Sequence, residues 1–204
     1  MVIKLFRWQA LALAVWLISL VGGLRILWGY ETTPGVQLRK SSRIRNTNLV
    51  QLASQQPTLI MFAHPQCPCT KASLLELQDL ERKLHGLVKV KVFFIRPVSK
   101  DRNWLESSSW ALAKTIPGAE VSADPQGTLA RMFNAQVSGE TVLYSTDGEL
   151  LFEGGVTPSR GHVGENHGTQ AIIETILTGR TSIVHTPIYG CALFSEEQGK
   201  VAWK

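Results

Sequence analysis

Apolar positions follow three different rhythms along the 204-residue chain. The first is an unbroken run, "WQALALAVWLISLVGGL" from 8 to 24, preceded by Lys4 and Arg7 and followed by "RILWGY". Its 17 uncharged residues stand at the short end of a spanning helix, and Ile26, Leu27 and Trp28 extend it if Arg25 snorkels. Trp28 and Tyr30 suit the membrane interface. The second rhythm is a short solid run: "TLIMFA" at 58–63 and "VKVKVFFI" at 88–95 read as buried strands. The third is helical. Leu74, Leu77, Leu80 and Leu84 recur over 70–84, with most charges elsewhere, and Gly86 is expected to end that helix.

Farther along, 103–115 has a helical pattern, and 125–134 reads as a short helix with Asp124 as its cap and Pro125 in its first position. "TVLYSTDGELLFEGG", 141–155, places two apolar runs around Asp147-Gly148, a hairpin signal. "TQAIIETILTG", 169–179, predicts a closing helix with a glycine stop. The expected order is strand, helix, strand, helices, hairpin, helix. That is an α/β arrangement, a mixed sheet flanked by helices, in the order of the thioredoxin fold. The corresponding domain plan is an anchor at 1–30, a basic linker at 31–50, a domain at 51–180 and a C-terminal tail, 181–204, docked on it.

Composition narrows the function. With 44% hydrophobic and 18% charged residues the chain is globular, and the net charge of +5 raises nucleic acid as a partner. The densest basic cluster, "LRKSSRIR" at 38–45, has no interleaved aromatics and follows the apolar N-terminus. It excludes a nucleic-acid reading and fits either a solvated stalk or acidic lipid headgroups. The apolar run is read as a single-pass anchor in preference to a cleaved signal, with the domain on the exoplasmic side. Arg25, Arg39, Lys40, Arg43 and Arg45 outnumber Lys4 and Arg7, so the charge count by itself favours the opposite orientation. The short near flank and the export-signal character of the segment decide for export.

The chemistry-bearing residues gather in "HPQCPCTKAS", 64–73, directly after the first strand. The stretch "TLIMFAHPQCPCTKASLLELQDL" resembles the strand, turn and helix around the active site of membrane-tethered thioredoxin-like proteins of the TlpA and ResA type. "SGETVLYSTDGELLFEGGVTPSRGHVGENHG" and "TPIYGCALF" resemble more particularly the thioredoxin-like proteins labelled RedB. The resemblance covers roughly 57–195 and implies thiol–disulfide exchange on protein thiols, with Cys67 in the nucleophile's place. An upstream reductant is then needed. Two departures stand out: the pair is Cys67-Pro68-Cys69, with Thr70 where the usual second cysteine stands, and Glu140 occupies the place of the family's cis-proline.

With Pro68 as the first helical residue, Cys67 is expected as the helix N-cap, where backbone N–H groups and the helix dipole favour a thiolate. Cys69 then lies in the first turn, facing elsewhere, so a Cys67–Cys69 disulfide is strained. Cys191 is the third candidate. Eleven steps separate it from Arg180, and an extended chain covers about 36 Å over them, enough to bring it back to Cys67 as resolving thiol or third sulfur ligand. The redox reading needs no cofactor. The competing reading is a copper or zinc site of His64, Cys67 and Cys69, joined by His162 and His167 from a loop expected to overhang the site. A non-catalytic interaction domain is the third.

Overall fold

The computed structural model describes residues 2–44, 50–97, 100–197 and 200–202. The chain separates into two compact units, Met1–Thr33 and Pro34–Lys204. The first is one helix, α1 (Val2–Thr32), whose stretch Trp8–Thr32 is long and apolar enough to cross a membrane.

The second unit has a five-stranded sheet of β1 (Thr58–Ala63), β2 (Lys89–Arg96), β3 (Glu120–Pro125), β4 (Glu140–Tyr144) and β5 (Leu150–Gly154), in the order β3-β2-β1-β4-β5. β1 runs parallel to β2 and antiparallel to β4, with Phe62 opposite Phe93 on one side and Glu140 on the other. This is the thioredoxin-like fold. The full burial of β1 follows from its place in the middle of the sheet, which explains its lack of polar alternation.

Period-two geometry sends Leu59, Met61 and Ala63 to one face and Ile60 and Phe62 to the other. On the first face the leucine stripe of α2 (Thr70–Leu84) packs beside Ala171 and Ile172 of α5 (His167–Thr178). On the second lie Leu129 and Ala130 of α4 (Thr128–Met132), together with Phe133, Leu52 and Leu193. α2 stops at His85, which takes the left-handed conformation (φ 47°) one residue before the expected Gly86.

Three expectations change. The helical stretch 103–115 is broken into a 3₁₀ turn, Arg102–Leu105, and α3 (Ser108–Ala113), because the Ser107 side chain accepts from Trp110 N and caps a new helix. Pro125 ends a strand instead of opening a helix. Asp124 still does the capping, accepting from Leu129 N and Ala130 N at 2.9 Å each, but from the end of β3 across a left-handed turn at Gln126 and Gly127. The stalk is the third. α1 continues to Thr32, and residues after it lie on the domain: Gly35 N donates to Ile188 O at 2.8 Å, and Lys40 is buried. Arg45 lies outside the described residues. Lys40 is drawn in because Glu140, also buried, needs a countercharge; the ammonium bonds Glu140 and the carbonyls of Asn134 and Leu38. β6 (Ser195–Glu197) and β7 (Lys200–Ala202) form a small hairpin at the end of the tail.

Candidate functional site: a three-cysteine cluster

The parallel strands all end at one edge of the sheet, and β1 delivers His64 and the cysteine turn there. The turn is built by Cys67 N donating to His64 O (3.2 Å) and Thr70 N donating to Cys67 O (3.1 Å). The helix starts two residues later than the expected cap at Cys67 requires. Its N-cap is Cys69, at φ −70° and ψ −24°, and its first residue is Thr70. Pro68 therefore sits in the turn, and Cys67 lies ahead of the cap. The Cys69 side chain makes no capping bond.

The loop before β4 closes the other side. Gly139, at φ +91°, donates to Phe62 O, and its bare α-carbon admits Ser73 Oγ, which a Cβ would meet at 2.5 Å. Ser138, fully buried, accepts from His64 N (2.8 Å) and shares a 2.6 Å hydroxyl contact with Thr70. Glu140 shapes the loop from below, its carboxylate accepting from Gln136 N and Val137 N. Burial raises its pKa despite Lys40.

Onto this loop the C-terminal tail lays a short strand. Val137 and Ala192 form an antiparallel bridge, Ser138 N donates to Cys191 O and Leu193 N to Gln136 O, both at 2.8 Å. Gly190 makes this approach sterically accessible: a Cβ there would meet Ser138 O at 2.0 Å. Ile188 and Leu193, each 1% exposed, are the apolar feet of the tail. Cys191 is thereby brought to the other two cysteines, and the three Sγ atoms lie within 4.8 Å of one another. All three stand as free thiols.

Their acidities diverge. The Cys191 side chain donating to Cys67 lowers the Cys67 pKa from 9.0 to about 5, against burial, with further help from the Cys191 backbone, the Thr70 hydroxyl and the Cys69 backbone. The cap geometry is thus wrong in detail, while the converging donors that a thiolate needs are supplied from two segments. Cys69 is raised by burial and by the neighbouring Cys67 charge, partly offset by Arg160. Cys191 is raised by its bond to Cys67, by burial and by the charges of both cysteines, again opposed by Arg160.

The histidines do not join. Among the described residues the ligand-atom cluster holds the three cysteines alone. His64 is buried at the root of the turn, its Nδ1 accepting from Gln66 N and its ring edge-on to Trp104 at 5.7 Å. His162 is exposed and bonded to Ser159 Oγ and Arg160 O. His167 opens α5 and lines a cleft of about 370 Å³ with Pro187 and Tyr189. The loop 155–167 reaches the site through a residue sequence reasoning passed over, Arg160, whose guanidinium donates to Gly190 O. Ser138 was missed as well, and Thr70, noted where the resemblance places a second cysteine, was given no role; its hydroxyl contacts Ser138 and lowers the Cys67 pKa.

No protein-family profile and no curated protein matches the chain. Solved structures do. A hypothetical protein from Sinorhizobium meliloti 1021 is 18% identical with a TM-score of 0.55, over 68% of this chain and 79% of that one. An uncharacterized conserved protein from Geobacillus kaustophilus is 19% identical with a TM-score of 0.53, over 78% and 90%. A secreted Mycobacterium tuberculosis disulfide oxidoreductase homologous to E. coli DsbE is 15% identical with a TM-score of 0.42, over 60% and 81%. These likenesses are likenesses of fold.

Proposed function

We propose that the protein is a membrane-tethered thiol–disulfide oxidoreductase acting on exported protein thiols, with Cys67 as nucleophile and Cys191 as resolving thiol. The observation that carries this is the grouping of three sulfurs within 4.8 Å around one cysteine whose pKa is lowered to about 5. At neutral pH Cys67 is a thiolate, the form that attacks a disulfide.

The exchange balances without a cofactor. Cys67 Sγ⁻ attacks one sulfur of a substrate disulfide, forming a mixed disulfide and expelling the other substrate sulfur as thiolate. The charge on Cys67 then vanishes, and with it the hydrogen bond to the thiolate that is the main cause of the raised Cys191 pKa. Cys191 gives its proton to the expelled thiolate and attacks Cys67 Sγ. The second substrate sulfur leaves as thiolate, and the two electrons have passed from the Cys67–Cys191 pair to the substrate. A dithiol reductant restores the pair, and the same steps run backwards oxidise a substrate dithiol. Cys191 suits resolution better than Cys69, because it approaches on a separate segment free of the turn, whereas Cys69 is held two residues away across Pro68.

The tether reading rests on α1: exposed Trp16, Ile18 and Trp28 point in different directions around one helix, a surface suited to lipid. The resemblance to membrane-tethered thioredoxin-like proteins, including the RedB type, supports it. Cysteine-pair mapping by mass spectrometry on protein taken in its native redox state tests the function. A Cys67–Cys191 disulfide that disappears on reduction is the expected result, together with loss of disulfide reduction in Cys67→Ser. Cys191 free in both redox states, with Cys191→Ser fully active, overturns it.

A further inference from the structure

We infer that the reduced cluster is also a binding site for a single Cu(I) ion, held by the three sulfurs of Cys67, Cys69 and Cys191. This goes beyond thiol–disulfide exchange, since binding moves no electrons.

Size is the first argument. A metal–thiolate bond of about 2.3 Å in a trigonal arrangement sets the sulfurs about 4.0 Å apart. All three sulfurs are already within 4.8 Å of one another, so closing on an ion takes side-chain adjustments of under about 1 Å and no backbone rearrangement. The donor set is the second argument. Three thiolates form a soft, sulfur-only site, which selects Cu(I), zinc or an iron–sulfur cluster over hard cations. Zn(II) in a closed site requires four ligands. Among the described residues no histidine nitrogen or carboxylate oxygen joins the cluster to supply a fourth protein ligand, and Cys67 and Cys69 are buried while Cys191 is half-buried. Cu(I) is satisfied by three.

The surroundings are the third. Two sulfurs come from one turn and the third from a tail fixed by backbone bonds to Ser138 and Gln136, so the cage spans two segments and is largely preformed. Three thiolates around a monovalent ion carry a charge of −2. Arg160, held over the site by Gly190 O and acting electrostatically on Cys69 and Cys191, offsets part of it. In the binding step Cys69 and Cys191 each release a proton to water, three Cu–S bonds form, and copper stays at +1. The ion and a Cu-free disulfide exclude each other, because both use Cys67.

The test is an anaerobic Cu(I) titration of the fully reduced full-length chain in detergent against a chromophoric Cu(I) chelator, with X-ray absorption at the copper edge. One copper per chain with three sulfur neighbours and no nitrogen is expected. Cys191→Ser should weaken binding at least about tenfold, and Cys69→Ser likewise, each checked for retained fold by circular dichroism, while the His162→Ala, His167→Ala double variant should bind as the parent does. Failure to compete with the chelator, nitrogen in the coordination shell, or undiminished binding in both serine variants overturns the proposal. Because the readout is bound metal, it fails or succeeds independently of disulfide turnover.

Discussion

At the scale of single residues, the acidity of Cys67 is the property from which the proposed chemistry follows, and most of it comes from outside its own turn. The largest contribution is the Cys191 side chain, ahead of the Thr70 hydroxyl and the Cys69 backbone. A cap alone would give a smaller effect, and one insensitive to the tail. Removing the Cys191 thiol therefore raises the Cys67 pKa from about 5 toward its ordinary 9.0. The expected outcome is that alkylation of Cys67 by iodoacetamide reaches its plateau at clearly higher pH in Cys191→Ala than in the parent chain. The residual lowering belongs to the backbone of residue 191, the Thr70 hydroxyl and the Cys69 backbone. An unchanged pH profile would assign the acidity to the turn after all.

At the scale of elements, the tail strand and the loop 136–139 form the joint that completes the cluster. Gly190 is the point of closest approach, where a Cβ would meet the backbone oxygen of Ser138 at 2.0 Å and the Val137 side chain at 3.0 Å. A backbone oxygen fixed in the loop has little room to give. Gly190→Ala should push the strand off its partner, taking the Cys191 donor from Cys67 and loosening the burial of Ile188 and Leu193 while leaving β1 and α2 in place. Circular dichroism should keep the parent's secondary structure and the thermal unfolding temperature should fall only modestly, by the burial that Ile188 and Leu193 lose, whereas Cys67 alkylation shifts to higher pH and oxidised protein yields less Cys67–Cys191 disulfide. If pairing is as efficient as in the parent, the strand docks by its apolar feet alone.

The same joint marks where the sequence is readable. β1, β2, α2 and the hairpin are announced by local patterns, because each buries a face whose period is its own. β3 is not: "EVSADP" is a polar-rich stretch at the sheet edge, alternating between exposed and half-buried over its first four residues before the buried Asp124, and only pairing with β2 makes it a strand. The return of Cys191 could be read as a permitted distance. The direction it approaches from depends on the 136–138 backbone, which no residue type in the tail encodes. Lys40 shows the converse. In sequence it is one charge in a basic cluster, and only the buried Glu140 across the fold turns it into part of the core.

At the scale of the whole molecule, the thiolate couples the site to folding. Cys67 has a folded pKa of about 5 against an ordinary 9.0. Between those values the unfolded chain holds a proton that the folded chain lacks, so stability rises with pH across that window and is lost as pH falls through about 5. The slope at full effect is about 1.4 kcal/mol per pH unit. Cys69 and Cys191 are shifted the other way, so they stay protonated in the folded state through the window and oppose stability only above it. Buried Asp124 and Glu140 also have raised values, and they make stability fall as pH rises through their own titrations, nearer the acid end. Comparison with Cys67→Ser removes those contributions, because they are common to both chains. The stability advantage of the reduced parent over Cys67→Ser, measured by urea unfolding, should therefore grow steadily from pH 5 to pH 8. Its growth with pH should disappear when the parent is oxidised, since a Cys67–Cys191 disulfide has no thiolate to titrate and adds only a pH-independent constraint on the unfolded chain. A difference that stays constant with pH would mean that Cys67 is an ordinary buried thiol, and the proposed nucleophile would lose its physical basis.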